Sequence, residues 1–109
     1  MKRYGSVIGV RPDAIAEYKR VHAAVWPEVL KQIKNSGIRN YSIYLKEPEN
    51  LMFAYFEYHG TDFEADMAEM AKDPKTQQWW TVCNPMQAPL EHRKPGEWWA
   101  GMEEVFHTE

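Results

Sequence analysis

The sequence predicts an α+β domain in which two helices cover one face of a four-stranded antiparallel sheet. Three observations carry this reading. Residues 3–10, 38–46 and 51–58 have the apolar alternation of half-buried strands. Between the first two, Ile15, Tyr18, His22, Val25, Val29 and Ile33 fall at spacings of three and four, one face of a helix. After the third, Thr61-Asp62-Phe63-Glu64 has the pattern of a helix start.

Each element follows from local chemistry. In the first strand Tyr4, Ser6, Ile8 and Val10 share one side, and Gly9 marks a place where something packs closely. Pro12 and Asp13 suit the first turn of a helix. Pro27 disfavours helical geometry at Trp26, which predicts a kink or break there. Gly37 is a helix stop. In the second strand Tyr41, Ile43 and Leu45 alternate against Asn40, Ser42 and Tyr44. Pro48 and Asn50 make the turn into the third strand, its hairpin partner. Thr61 is the expected N-cap of a helix running to about Lys72, with Glu64 reaching back. Asp73-Pro74 opens a shorter helix carrying Trp79 and Trp80. Residues 84–97, with Pro85, Pro89, Pro95 and Gly96, read as a loop, and 102–107 as the last strand. The order is β-α-β-β-α-β, the ferredoxin-like arrangement. One sheet face is then uncovered, and a second copy of the chain is the economical cover.

Composition bounds the function. The chain has 109 residues, enough for one domain spanning 1–109. Its formal net charge is −3, with no basic run that would suit nucleic acid. No apolar stretch approaches the roughly 20 residues of a membrane span. The N-terminus lacks the apolar segment of a signal peptide, and one cysteine, Cys83, makes no disulfide framework. These features predict a cytoplasmic protein. Five Trp and six Tyr are more polar-tipped rings than a small core hides easily, which points to a lined pocket or an interface.

The four histidines, His22, His59, His92 and His107, have no metal-like spacing, and no phosphate loop, dinucleotide fingerprint or nucleophile elbow occurs. His22 is the sharpest signal. It stands on the apolar stripe of the first helix, where Leu or Ile would pack, with Tyr18 one turn earlier on the same face. A histidine suits acid–base work near neutrality. A hydrogen-bonded core histidine would satisfy the same pattern. Tyr41 alone argues nothing, because tyrosine packs well in strands. Trp79-Trp80 supplies either a sugar platform or one core and one interface anchor. Trp98-Trp99 either packs the last strand or closes a pocket.

Together these residues resemble the L-rhamnose mutarotase family. The likeness is carried by Pro12-Asp13, Tyr18, His22 and Trp26-Pro27-Glu28 in the stretch from Arg11 to Glu28. It continues through Gly37, Asn40-Tyr41, Ile43-Tyr44-Leu45, Asn50-Leu51 and Phe53-Ala54, resumes at Trp79-Trp80 and ends at Glu104-Val105-Phe106. The resemblance implies a ferredoxin-like fold dimerising face to face as an α/β barrel. It implies His22 as proton donor, sugar contacts from Tyr18, Tyr41, Trp79 and Trp80, and no metal or organic cofactor. The second half departs from the family pattern. The segment before Trp79 and the loop from Pro85 to Gly96 are longer, which leaves Trp98-Trp99 as a competing doublet.

The expected reaction is exchange of the α and β anomers of a 6-deoxy sugar by ring opening, with L-rhamnose as the expected substrate and L-fucose as the alternative. Proton transfer at the ring oxygen and the C1 hydroxyl is all it requires. Two other classes fit the fold. One is a cofactor-independent monooxygenase or haem-degrading enzyme of the dimeric α/β-barrel type. The other is a non-enzymatic sugar-binding or regulatory module.

Overall fold

The computed structural model describes residues 1–109. Strand β1 spans Lys2–Val10, β2 Ile38–Lys46 and β3 Leu51–Tyr58. Helices α1 (Ile15–His22) and α2 (Pro27–Asn35) lie between β1 and β2. Helices α3 (Phe63–Lys72) and α4 (Pro74–Cys83) follow β3, and two short strands, β4 (Gln87–Ala88) and β5 (Ala100–Met102), complete the sheet. The strand order is β2-β3-β1-β4, with β5 also on the outer edge of β1, and every pairing is antiparallel. This is the ferredoxin-like order expected from the sequence, with the fourth strand divided in two.

The first helical region breaks where Pro27 requires it. Trp26 is extended (φ −59°, ψ 134°), Pro27 opens α2, and α1 ends at His22. Gly37 stops α2 with φ +87°, a left-handed conformation suited to glycine. Three expectations are corrected. The N-cap of α3 is Asp62 rather than Thr61. Its carboxylate accepts the Ala65 N–H at 3.1 Å, and a charged cap also suits the positive end of the helix. The last strand is Ala100–Met102 rather than 102–107. It pairs with Gly5–Val7 of β1, and beyond it only the Arg3–Glu104 side chains hold the tail, at 2.7 and 3.0 Å. Nothing apolar waits for Val105 and Phe106, which are 87% and 68% exposed. The expected loop 84–97 begins with a 3₁₀ turn, Asn84–Met86, and contains β4.

Gly9 explains why β4 can form. A Cβ there would lie 2.6 Å from the carbonyl oxygen of Ala88, its pairing partner. Only a bare backbone admits this approach.

The core sits between the sheet and the helices. Ile8, Val10 and Met52 from the sheet meet Tyr18, Val29, Trp79 and Cys83 from the helices. Tyr4 stacks on Phe56 and on Phe63 of α3, at 5.2 and 4.3 Å between ring centres. A bulge in β2 sets which residues join this face. Arg39 pairs with Glu57 and Ser42 with Tyr55, so Asn40 and Tyr41 together oppose one residue. Asn40 takes φ +51°, a conformation asparagine tolerates. The extra residue shifts the alternation by one. Ile38 and then Tyr41 and Ile43 thereby face the helices, and all three line one cleft.

Candidate active site

The cleft lies between strands β2 and β3 and helices α1, α2, α3 and α4. It has two adjoining lobes of about 330 and 450 Å³, in the range of small-molecule sites. Both lobes are lined by His22, Tyr41, Ile43, Met70, Trp79 and Trp80. Tyr18, Cys83, Asn84, Gln87, Trp98 and Trp99 line the first lobe alone. All five residues singled out from the sequence therefore reach one cavity.

His22 is fixed by its own helix. Its Nδ1 lies 2.8 Å from the backbone oxygen of Tyr18, one turn back. A carbonyl only accepts, so Nδ1 carries the proton and the neutral ring has its lone pair on Nε2. Nε2 has no protein partner. The imidazole stacks on Tyr18, 4.0 Å between centres at 18°, and meets Trp79 edge-on at 5.2 Å and 66°. Burial lowers the His22 pKa, with the Tyr18 carbonyl opposing. The ring is thus neutral at pH 7, with Nε2 ready to accept a proton. In this structure His22 is both hydrogen-bonded and exposed to the cleft, so the two readings of its position merge.

The tyrosines are held in the opposite state. Desolvation raises the Tyr18 phenol well above its usual range, and the Gln87 amide offsets this only in part. Tyr41 shows 43% of its surface to solvent, yet desolvation at its hydroxyl end pushes it up to about 12. Both stay protonated near neutrality. The Cys83 thiol, pushed up to about 11 by burial, is no nucleophile at neutral pH.

Trp79 is buried and packs edge-on against Trp26 at 5.2 Å and 73°. Trp80 is half-buried beside it. The competing doublet is present too: Trp98 and Trp99 line the first lobe. Trp98 donates its indole N–H to Gln87 Oε1 at 2.7 Å, and Gln87 donates from Nε2 to the Tyr18 hydroxyl at 3.1 Å. Sequence reasoning missed Gln87. A lone glutamine among prolines has no periodicity to mark it.

Sheet, helices and cleft define a ferredoxin-like α+β domain with an aromatic-walled pocket that holds a neutral histidine. Known proteins are similar to this chain in sequence and in fold. The L-rhamnose mutarotase profile matches residues 3–108. An L-rhamnose mutarotase of Oceanobacillus iheyensis is 33% identical over the full length of both chains. That of Pectobacterium atrosepticum is 39% identical over 96 residues, 83% of this chain and 89% of its own. Among solved structures, an L-rhamnose mutarotase from Formosa agariphila superposes with a TM-score of 0.79 at 23% identity, covering all of both chains. The tetracenomycin F2 cyclase of Streptomyces glaucescens has the same fold, with a TM-score of 0.67 at 14% identity over all of this chain and 97% of its own. The chain belongs to the L-rhamnose mutarotase family, and so to the anomer-interconverting isomerases.

Proposed function

We propose that this protein exchanges the α and β anomers of L-rhamnose at the His22 cleft, as a cytoplasmic homodimer. The observation that carries the site assignment is the neutral His22 ring with Nδ1 committed to a carbonyl and Nε2 unpartnered among aromatic walls.

Ring opening moves one proton from the C1 hydroxyl to the ring oxygen as the C1–O5 bond breaks. His22 takes the hydroxyl proton at Nε2 and delivers it to the ring oxygen, so it must accept before it donates. The electron pair of the broken bond stays on the ring oxygen, and C1 becomes the aldehyde. A Tyr18 hydroxyl donating to that oxygen stabilises the charge gathering there. Rotation about C1–C2 and the reverse steps close the other anomer. Trp79 and Trp80 offer faces for the C–H side and the 6-methyl group, and Tyr41 orients a hydroxyl. A free, buried thiol at Cys83 suits a reducing compartment. The outer sheet face, with Tyr44 exposed and Phe53 and Tyr55 half-buried, suits a second copy.

The test is saturation-transfer NMR on the anomeric protons of L-rhamnose, with L-fucose in parallel. Enzyme-accelerated exchange is expected with L-rhamnose. His22→Ala should slow it by about 10²-fold or more while shifting Tm little, since one positioned acid or base contributes about 10²–10⁴-fold. Unchanged turnover in that variant removes His22 from the site. Faster exchange of L-fucose keeps the mechanism and changes the substrate.

A further inference from the structure

We propose that Gln87, locked by Trp98, is a positioning residue that fixes the Tyr18 hydroxyl as a hydrogen-bond donor into the cleft. The proposal rests on the placing of Tyr18 at the ring oxygen of the sugar.

The argument is one of polarity. An indole N–H can only donate, so the group 2.7 Å from Trp98 Nε1 must be the Gln87 oxygen. The amide nitrogen then faces Tyr18, 3.1 Å from its hydroxyl oxygen. A phenol that accepts from an amide N–H has its own proton free to point elsewhere. No protein acceptor takes it, and the cleft is the space it faces. Were the amide reversed, its oxygen would draw the Tyr18 proton away from the substrate. Trp98 forbids the reversal. Gln87 is itself buried at 9% exposure and pinned by its backbone pairing with Val10.

The 88–99 segment holds Trp98 in place. Arg93 donates from Nε to the Glu97 carbonyl and from Nη1 to the Leu90 carbonyl, each at 2.7 Å. Glu97 in turn accepts the backbone N–H of Lys94 at 2.9 Å and of Gly101 at 3.1 Å. A segment with almost no regular structure is thus braced so that a residue eleven positions after Gln87 returns to meet it.

The test uses Tyr18→Phe, Gln87→Glu and Trp98→Phe, and the last two again in the Tyr18→Phe background. Glutamate keeps the shape of Gln87, but its carboxylate accepts from both neighbours and turns the Tyr18 proton inward. Tyr18→Phe should lower kcat by about 10²-fold, Gln87→Glu by about tenfold or more, and Trp98→Phe by about three- to tenfold, with KM changing less than about threefold. In the Tyr18→Phe background neither should cost more than about a further twofold, because both act through the hydroxyl already removed. Equal losses in both backgrounds, or a lower Tm at unchanged kcat for Trp98→Phe, would overturn the proposal. Trp98→Phe retains a ring at a partly exposed position and carries the test if Gln87→Glu does not fold. Wild-type turnover by Tyr18→Phe overturns the placing of Tyr18 and the relay with it. An impaired Tyr18→Phe beside an unimpaired Gln87→Glu overturns the relay alone.

Discussion

At the scale of single residues, the cleft holds a neutral imidazole beside two protonated phenols. The carbonyl of Tyr18 selects the Nδ1–H tautomer of His22, while desolvation keeps that ring uncharged. The same desolvation keeps Tyr18 and Tyr41 protonated. A proton-accepting imidazole and two protonated phenols thus coexist near neutrality, and burial widens the gap that their intrinsic pKa values already set. The sign of the pH dependence follows. His22 must start neutral, and its pKa lies below the usual 6.5. The rate of anomer exchange should be level through pH 7 and fall only once the pH drops below that lowered pKa. A pH–rate profile measured between about pH 4.5 and 8.5 reads this directly. An acid limb centred above 6.5 would contradict a buried, neutral His22.

At the scale of elements, two backbone details deliver side chains to the cleft. The bulge at Asn40 turns Tyr41 toward the helices. The bare backbone of Gly9 lets β4 dock, and β4 carries Gln87. Gly9→Ala should therefore be costly twice. With a Cβ aimed 2.6 Å from the Ala88 oxygen, β4 must move away and take Gln87 with it. We expect about 1–3 kcal/mol of destabilisation, the range for overpacking, together with a loss of turnover larger than for Asp62→Ala. Asp62→Ala removes only the α3 cap, at about 1 kcal/mol, and Asp62 does not line the cleft. Urea midpoints and NMR exchange rates for the two variants, measured side by side, test this. Equal activities would mean that β4 does not position the site.

At the scale of the whole molecule, the uncovered sheet face and the tail ask for a partner. Tyr44 is 67% exposed on that face, and Val105 and Phe106 are 87% and 68% exposed. A domain of this size gains from burying such surface, and a stable pair buries roughly 1,200–2,000 Å². Sedimentation at micromolar concentration should give a dimer, and Tyr44→Lys should shift it toward monomer by placing charge within the interface. A monomeric wild type would assign the outer face to another role.

Much of this was legible in the chain itself. Period-two and period-3.6 patterns, Pro27 and Gly37 determined the main elements, because their causes are local: side-chain direction, the clash before proline and the freedom of glycine. His22 and Tyr18 could be paired in advance for the same reason, lying one turn apart on one helix. The tertiary structure alone decided the rest. It brought Gln87 to Tyr18 across 69 positions and Trp98 to Gln87 through an irregular segment. It chose Asp62 over Thr61 and stopped β5 at Met102. It also seated both tryptophan doublets on one cleft. Such contacts depend on where distant segments meet, and no local pattern of residues encodes a meeting made through backbone pairing and side-chain hydrogen bonds far apart in the chain.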